Sequence, residues 1–570
     1  MRRHAGLVYK TVMSARAKSE TSLSSRRGLL IAGAVATVGG VFAVRGALSG
    51  AGSKSAHAPS GASGARAGGE LVVAFDGAAV ATFALDPQNS GFAPHNRVMR
   101  SIYDSLTHLL PDQSVGPWLA ESWTTSSDLK TFEFKLRRGV KFHDGTPFDA
   151  AALKANFERL SQPSNALTSR TSLGPYQGSE ILAEDRLRVR LAEPFAPFLR
   201  NLSMTKLAIV SPAAVAKYGP VFAQNPVGTG PFRFAGLTPG TEIRLERNPD
   251  YDWAPANGVH SGPARLEKLT FKNVPEESTR VAVLLSGQVH ASDLIPPQNL
   301  AALKSDHRFT VLEKELLNTN YSLGLNVAKA PWDDEEIRLA VRLSLDIDAI
   351  VRVIYLGTFP RAWSPLSPSM FGSAEKDLAN SWRPDPPRAL EILERKGWKV
   401  GKDGVREKDS KRLTIKFVDS QGNREKRLDV VQLVRRQLAA SGIALSIDSQ
   451  PAGVTSSKLA TNEFDLYGGA SFHGDPDILR QSFVPAARAI ASGNRVVDPE
   501  LTEWLTRAAR EADGPKRSEL YRLAQRKIID KTYSIPIYVL LYNLGVSKRA
   551  HGIGIDAHGF PEFHGAWLDA

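Results

Sequence analysis

An α/β protein of more than one lobe is what this sequence predicts, on three observations. Short strands of alternating polarity recur between amphipathic helical stretches, one strand–helix–strand unit is complete, and 570 residues with 42% hydrophobic and 23% charged side chains supply several packed cores. The strands begin at Leu71-Val72-Val73-Ala74-Phe75, a short buried run. Thr131 to Leu136 alternates strictly and puts Phe132, Phe134 and Leu136 on one face; Arg186 to Leu191 and Ile243 to Glu246 alternate likewise. Ile337, Ala340, Val341, Ser344 and Leu345 fall at helical spacing, so one face of that helix packs on a sheet. The complete unit runs from Leu413 to Phe417, through a helix carrying Val431, Val434 and Leu438, stops at Gly442 and re-enters a strand at Ile443 to Ile447. That order is the grammar of a βαβ crossover. No internal repeat follows residue 69.

Charge and cysteine usage narrow the function. The formal charge of +13 raises the idea of a nucleic-acid partner, but the first 69 residues hold ten Lys or Arg against one acid, Glu20, leaving 62 basic and 58 acidic side chains for the rest. The basicity is therefore mostly a leader property, and no nucleic acid is expected as a partner. With no Cys, disulfides, thiolate metal sites and a lipid-modified amino-terminal cysteine are excluded. In the leader, Arg26-Arg27 directly precedes a Gly/Ala-rich apolar run, Leu29 to Val44, shorter than the roughly 20 residues that span a bilayer. This resembles a twin-arginine export signal, with Ala56-His57-Ala58 as a cleavage option and an uncleaved anchor as the alternative. A periplasmic location follows as the expectation, tethered if the signal stays.

Enzyme signatures are sparse. The chain has no Gly-x-Ser-x-Gly elbow, His-Glu-x-x-His, phosphate-binding Gly-x-x-x-x-Gly-Lys or Gly-x-Gly-x-x-Gly. Ser127-Asp128-Leu129-Lys130 satisfies Ser-x-x-Lys but runs straight into the Phe132 strand, which makes it a turn. The twelve His lack ligand spacing, and His143 sits at a turn where a hydrogen bond is the expected use. No catalytic residue, metal or cofactor is expected.

A string of segments does point somewhere. Arg100 to Leu106, Leu119-Ala120-Glu121-Ser122-Trp123, Asp128 to Leu136 and Arg138 to Phe148 are followed by Asn225-Pro226-Val227-Gly228-Thr229-Gly230-Pro231-Phe232, Leu245 to Tyr251, Asp333 to Ile350, Gly397-Trp398 and Ser534-Ile535-Pro536. In this order they resemble the extracytoplasmic solute-binding protein family 5 of ABC importers, the peptide, opine and nickel type. The resemblance implies a two-lobed periplasmic binding protein (type II, large cluster) with an inserted α/β domain and a ligand cleft at the hinge. It places one lobe at 70–98, 227–290 and 540–570, the inserted domain at 99–226 and the second lobe at 291–539, after a leader of 1–69. It also implies a monomeric receptor that passes a small solute, peptide-like or a sugar, to ABC permease subunits in the inner membrane. Two alternatives stand beside it: a nickel-chelate receptor using His473 or His95, and a secreted hydrolase or amidase.

The stretch Gly468 to Asp477, GGASFHGDPD, carries the site expectations. In dipeptide-type members the corresponding loop reads Trp-Thr-Gly-Asp-Asn-Gly-Asp-Pro-Asp, and its first aspartate pairs with the ligand amine. Matching Gly474-Asp475-Pro476-Asp477 puts Phe472 at that aspartate and Gly469 at the tryptophan, so the ammonium anchor is missing. A buried ammonium without a carboxylate is costly, which disfavours ordinary free-amine peptides. Phe472 and His473 instead offer an apolar face and a neutral donor or acceptor, with core packing and a solvent-facing loop as the respective bland readings. Asp475 and Asp477 are expected to fix the loop or cap the helix beginning near Ile478. Phe92 after the first strand, Tyr321 in a hinge crossing, Arg361 as a carboxylate or phosphate fork, with a surface charge as its default reading, and Trp363 as a stacking ring or equally a lobe-core residue complete the ligand-binding candidates.

Overall fold

Three large sheets, beside four small ones of two or three strands, organise the described residues. The computed structural model describes residues 66–77, 84–90, 93–165, 167–255, 258, 260–420, 422–487 and 495–569. Arg26 and Arg27, expected to form an export signal, and Phe92, expected to touch ligand, lie outside the described residues.

The first sheet has seven strands in the order Phe309–Glu315, Leu541–Ser547, Ala291–Asp293, Glu70–Phe75, Lys268–Asn273, Glu242–Arg247 and Phe232–Thr238. Glu70–Phe75 sits at its centre and pairs parallel with strands on both sides, which is why its apolar run does not alternate cleanly with polar residues. The second sheet orders Ala444–Gln450, Thr414–Ser420, Leu466–Gly469, Tyr321–Leu325 and Ile535–Tyr538. Thr414–Ser420 and Ala444–Gln450 pair parallel across the Arg427–Ala440 helix, which buries Val431, Val434 and Leu438. Gly442 follows the end of that helix at a φ of 76°, and a Cβ there would stand 2.7 Å from Arg406 Cγ. The third sheet is antiparallel: Ala120–Thr125, Thr131–Leu136, Arg186–Leu191 and Tyr176–Ala183. Phe132, Phe134 and Leu136 turn into its core together, and Ser127 to Lys130 is the turn before it, with Leu129 N–H donating to the Ser126 carbonyl at 2.9 Å. The Glu335–Leu343 helix is capped by the Asp334 carboxylate on Glu336 N–H and buries Ile337, Ala340 and Val341 in the second lobe.

Strand pairing corrects two expected boundaries. Ala291–Asp293 and Phe309–Glu315 belong to the first sheet, so the second lobe starts after Glu315 and not at 291. The helix Ala93–Ile102 runs through position 99, and its Val98, Met99 and Ile102 pack into the first lobe, so the inserted sheet begins only beyond it. Segment 316–320 and residues 539–540 make the crossings between the two lobe sheets.

The glycines of Gly228-Thr229-Gly230 have a steric cause. A Cβ on Gly228 would lie 2.3 Å from the Ile102 carbonyl oxygen, and one on Gly230 2.6 Å from the Ile102 carbonyl carbon. Thr229 Oγ1–H and Trp253 Nε1–H both donate to Asp104 at 2.9 Å, while burial pushes that carboxyl up to about 6. His143 reaches across to the same segment, with Nε2 at 2.9 Å from the Gly230 carbonyl, a partner 87 positions away.

Candidate functional site

The loop that follows the Leu466–Gly469 strand is a joint between three parts of the molecule. Leaving the sheet, it stays tied to the crossing: Thr319 N–H donates to the Ser471 carbonyl at 3.0 Å, Ser471 N–H to Thr319 Oγ1 at 2.8 Å, and Phe472 bridges Asn318. Gly474 N–H then meets Met204 Sδ of the inserted domain at 3.2 Å, and a Cβ on Gly474 would stand 2.8 Å from His558 Cε1 of the carboxy-terminal segment. A side chain at that position requires the His558 ring to shift.

The two aspartates hold this joint. Arg517 forks onto Asp475 at 2.7 and 3.1 Å with both side chains fully buried, and Arg200 Nε of the inserted domain stands 3.4 Å from the same carboxylate. Asp477 is taken by Arg480 at 2.6 and 2.8 Å, so it fixes the loop as expected but does not cap the Ile478–Phe483 helix through its side chain.

His473 is wholly buried. Its Nδ1 lies 2.9 Å from the Asp475 carbonyl, and its Nε2 lies 3.0 Å from Gln481 Nε2 and 3.2 Å from Ser172 Oγ. Burial, then the nearby Lys206 charge, drives its pKa well below the ordinary value, so the ring is neutral. The solvent-facing reading of His473 is thereby corrected, and with both nitrogens engaged this arrangement leaves neither for a solute or for nickel. Phe472 is half-buried and sets its ring edge-to-face against Phe560 at 4.6 Å and His558 at 5.5 Å. Near His473, Lys206 is buried, which pulls its pKa down to about 7, with Asp477 the charge that opposes this.

Of the other expected ligand contacts, Tyr321 lies fully buried at the hinge, stacked 5.0 Å from Tyr538 with Arg427 4.9 Å over its ring. Its hydroxyl has no hydrogen-bond partner among the described residues, and a Cβ on Gly468 would meet that oxygen at 2.2 Å. The expected carboxylate fork of Arg361 is corrected by its position: the guanidinium sits 4.4 Å over Trp363 and 5.0 Å over Trp382 and donates to the Pro536 carbonyl at 2.6 Å. Burial lowers its pKa to about 10. Trp363 is correspondingly half-buried on the lobe core against Trp382, which accounts for its ring without a solute.

A second part of the site was invisible in the sequence. Residues 424–427, at the start of the Arg427–Ala440 helix, reach from the second lobe to the first: Arg424 Nε lies 3.2 Å from Asp76 at the end of the central strand, and Lys426 Nζ 2.5 Å from Glu277. Between them Glu425 accepts from Arg427 at 2.7 Å and from the Tyr538 hydroxyl at 3.2 Å, and its carbonyl accepts from Tyr355 at 2.7 Å. Burial alone would raise the Glu425 carboxyl, but Arg427 and Arg424 hold it below its usual value. Glu425 and Lys426 both take left-handed backbone, φ 51° and 59°, strain that these contacts hold in place. On the first lobe Arg97 pairs with Asp293 at 2.5 Å, and Asp293 also accepts Asp76 N–H at 3.0 Å. Read as sequence, Arg424-Glu425-Lys426-Arg427 is a mixed charge run of the kind that coats a solvated helix start, so it gave no signal.

Serine–histidine contacts do occur, as Ser172–His473 and as Ser203–His558 at 3.0 Å. In the first, the far ring nitrogen faces a backbone carbonyl and not a carboxylate; in the second, Ser203 Oγ–H is donated to the Arg200 carbonyl at 2.6 Å. Among the described residues no three His, Asp or Glu side chains group to hold a metal ion.

Two lobes joined by two crossings, ion pairs spanning the seam between them and a buried loop at the joint define a two-lobed solute-binding receptor. The chain matches bacterial extracellular solute-binding proteins, family 5, over residues 114–484, and it belongs to that family, the substrate-binding receptors of ABC importers. It is 28% identical to the glutathione-binding protein GsiB of Pectobacterium atrosepticum over 455 residues, 78% of this chain and 84% of that one. It is also 28% identical to GsiB of Escherichia coli over 485 residues, 83% and 90% of the two chains. The fold is similar to that of the periplasmic binding protein DppA of Helicobacter pylori in complex with the peptide STSA, with a TM-score of 0.75 at 23% identity over 89% of this chain and 99% of that one. It is equally similar to AgaA of A. tumefacien R10 with agropinic acid, TM-score 0.75 at 21% identity over 88% and 99%.

Proposed function

We propose that the captured solute is a small peptide-like molecule whose amino end is blocked or modified, enclosed at the joint beside Phe472 and released to an inner-membrane permease. One observation carries this reading. The loop's two carboxylates are both spent on arginines, Asp475 on Arg517 and Asp477 on Arg480, while the position that in dipeptide-type relatives holds the ammonium's aspartate partner carries a half-buried phenyl ring. A buried ammonium brought there would lack a partner, at a cost of several kcal/mol. Capture is noncovalent: a micromolar dissociation constant corresponds to about −8 kcal/mol, within reach of a few aromatic contacts and satisfied polar groups. Likeness to glutathione-binding and peptide-binding relatives supports a peptide-like solute, and the twin arginine Arg26-Arg27 supports export to the periplasm.

Thermal shift and calorimetry with matched N-acetylated and free-amine di- and tripeptides, glutathione included, test the reading. Acetylated or modified peptides are expected to stabilise the chain more than their free-amine counterparts, and Phe472→Asp to reverse that order. Free-amine peptides binding as tightly as acetylated ones, or an unchanged order in a folded Phe472→Asp variant, refutes it.

A further inference from the structure

A cavity of about 220 Å³ lies away from the joint, among the end of the Ala93–Ile102 helix, the Thr107–Leu109 and Val115–Pro117 hairpin, Tyr251 and the carboxy-terminal segment 552–565. It is lined by Arg100, His108, Trp118, Tyr251 and Glu562 among others, and none of the residues placed at the solute site borders it.

Its walls carry unmet polarity. Arg100 is 5% exposed; it lies 4.7 Å over the Trp118 ring, and its Nη1–H donates to Ser105 Oγ at 3.1 Å. Its Nε comes within 3.1 Å of Asp556 as an ion pair without hydrogen-bond alignment, and Nη2 has no partner among the described residues. His108 is 4% exposed, and its Nδ1 is likewise without a partner. Glu562 shares the cavity, yet it forms no ion pair with Arg100 and accepts no side-chain hydrogen bond among the described residues. Burial, and then the Asp556 charge, lifts its carboxyl to about 7. An isolated buried donor or carboxyl is costly to leave unmet, and here a cationic donor and an acid face one space without touching.

We propose that this cavity is a second binding site, for a zwitterion the size of a free α-amino acid, with its carboxylate on Arg100 Nη2 and its ammonium on Glu562. Each end of such a molecule supplies what one wall lacks, so the charges of wall and ligand cancel within the cavity. An anion alone would satisfy Arg100 but face Asp556 and Glu562; a cation alone would satisfy Glu562 but face Arg100. Trp118 and Tyr251 supply apolar faces for a short side chain.

The fold offers a clean way to close the space. Gly554 lines the cavity with ordinary backbone, and a Cβ there meets only Glu562, at 3.7 Å, so Gly554→Leu fills the cavity without backbone strain. The test is ligand-observed NMR and calorimetry of glycine and L-alanine with the full chain, with acetate and methylammonium as single-charge controls. Binding is expected for both amino acids, weaker by about tenfold or more in Gly554→Leu and in Glu562→Gln, and weaker by about tenfold for each control. Absence of amino-acid binding, equal binding in wild type and variants, acetate binding as tightly as glycine, or a high-resolution structure in glycine showing only water in the cavity overturns the proposal. Should Gly554→Leu fail to fold, Glu562→Gln, a near-isosteric change, decides the matter alone.

Discussion

Replacing Arg517 by methionine tests the joint most directly. Arg517 and Asp475 are both fully buried, joined by two hydrogen bonds of 2.7 and 3.1 Å, and the guanidinium also donates to the Ala508 carbonyl at 2.9 Å. Methionine fills much of the same volume between Phe371 and Tyr521 but leaves the Asp475 carboxylate buried with Arg200, 3.4 Å away, as its remaining ion-pair partner among the described residues. Removing one partner of a buried pair costs about 3–5 kcal/mol. For a lobe of roughly 200 residues, each kcal/mol lowers the melting temperature by about 2–4 °C, so the lobe transition in calorimetry should fall by roughly 6–20 °C. The double variant Arg517→Met with Asp475→Leu removes both charges and should recover part of that loss, because uncharged packing in place of a buried pair is often near neutral. Arg507→Ala, which breaks an exposed pair with Glu503 at 3.2 Å, should change stability by no more than about 0.5 kcal/mol. An Arg517→Met transition within about 1 °C of wild type, or a double variant less stable than the single one, would refute the view that this pair fixes the loop.

Three further outcomes are expected. Glu277→Gln removes a part-exposed ion pair with Lys426 across the seam; the loss of about 1 kcal/mol from the closed form lowers the closed-to-open ratio roughly fivefold, seen as a larger radius of gyration in solution scattering. His143 is held to a pKa of about 4 by burial, despite the raising effect of the Gly230 carbonyl and of Asp144, with Arg233 adding to the fall, so it is neutral when folded and protonates near 6.5 when unfolded. Its contribution is therefore present above pH 6.5 and is lost as the pH falls towards 4, by up to about 2 kcal/mol between 6.5 and 5; His143→Gln should flatten the fall in melting temperature over that window, and parallel profiles would count against it. Gly228→Ala drives a methyl group into the Ile102 carbonyl, backbone against backbone, and should cost about 3 kcal/mol in urea denaturation; a cost under about 1 kcal/mol would mean that the two segments part easily.

Much of the lobe architecture could be read from local pattern, because strand and helix periodicity depends on neighbours a few positions apart. Phe132, Phe134 and Leu136 turned inward together, and the unit from Thr414 to Gln450 formed the parallel crossover that its glycine stop announced. The boundary at 291 failed because Ala291–Asp293 is three residues long, too short for a pattern, and owes its place to pairing with Leu541–Ser547 some 250 positions away. The same limit governed the candidate site. Aspartates in a Gly-Asp-Pro-Asp loop are recognisable as loop fixers by residue type, whereas the partners Arg517 and Arg200 lie on other elements. Arg361 read as a fork for a ligand acid because nothing local shows the two tryptophan faces that enclose it.

By itself the sequence determined the α/β class, the order of the family's segments and the absence of an acid at position 472, since each resides in residue identity and short-range spacing. Only the tertiary structure decided that His473 is buried and engaged, that Arg424 and Lys426 reach the first lobe, and that Arg100 and Glu562 face one cavity. Burial and charge pairing act through space, over contacts between segments hundreds of residues apart, and no pattern confined to a short window encodes them.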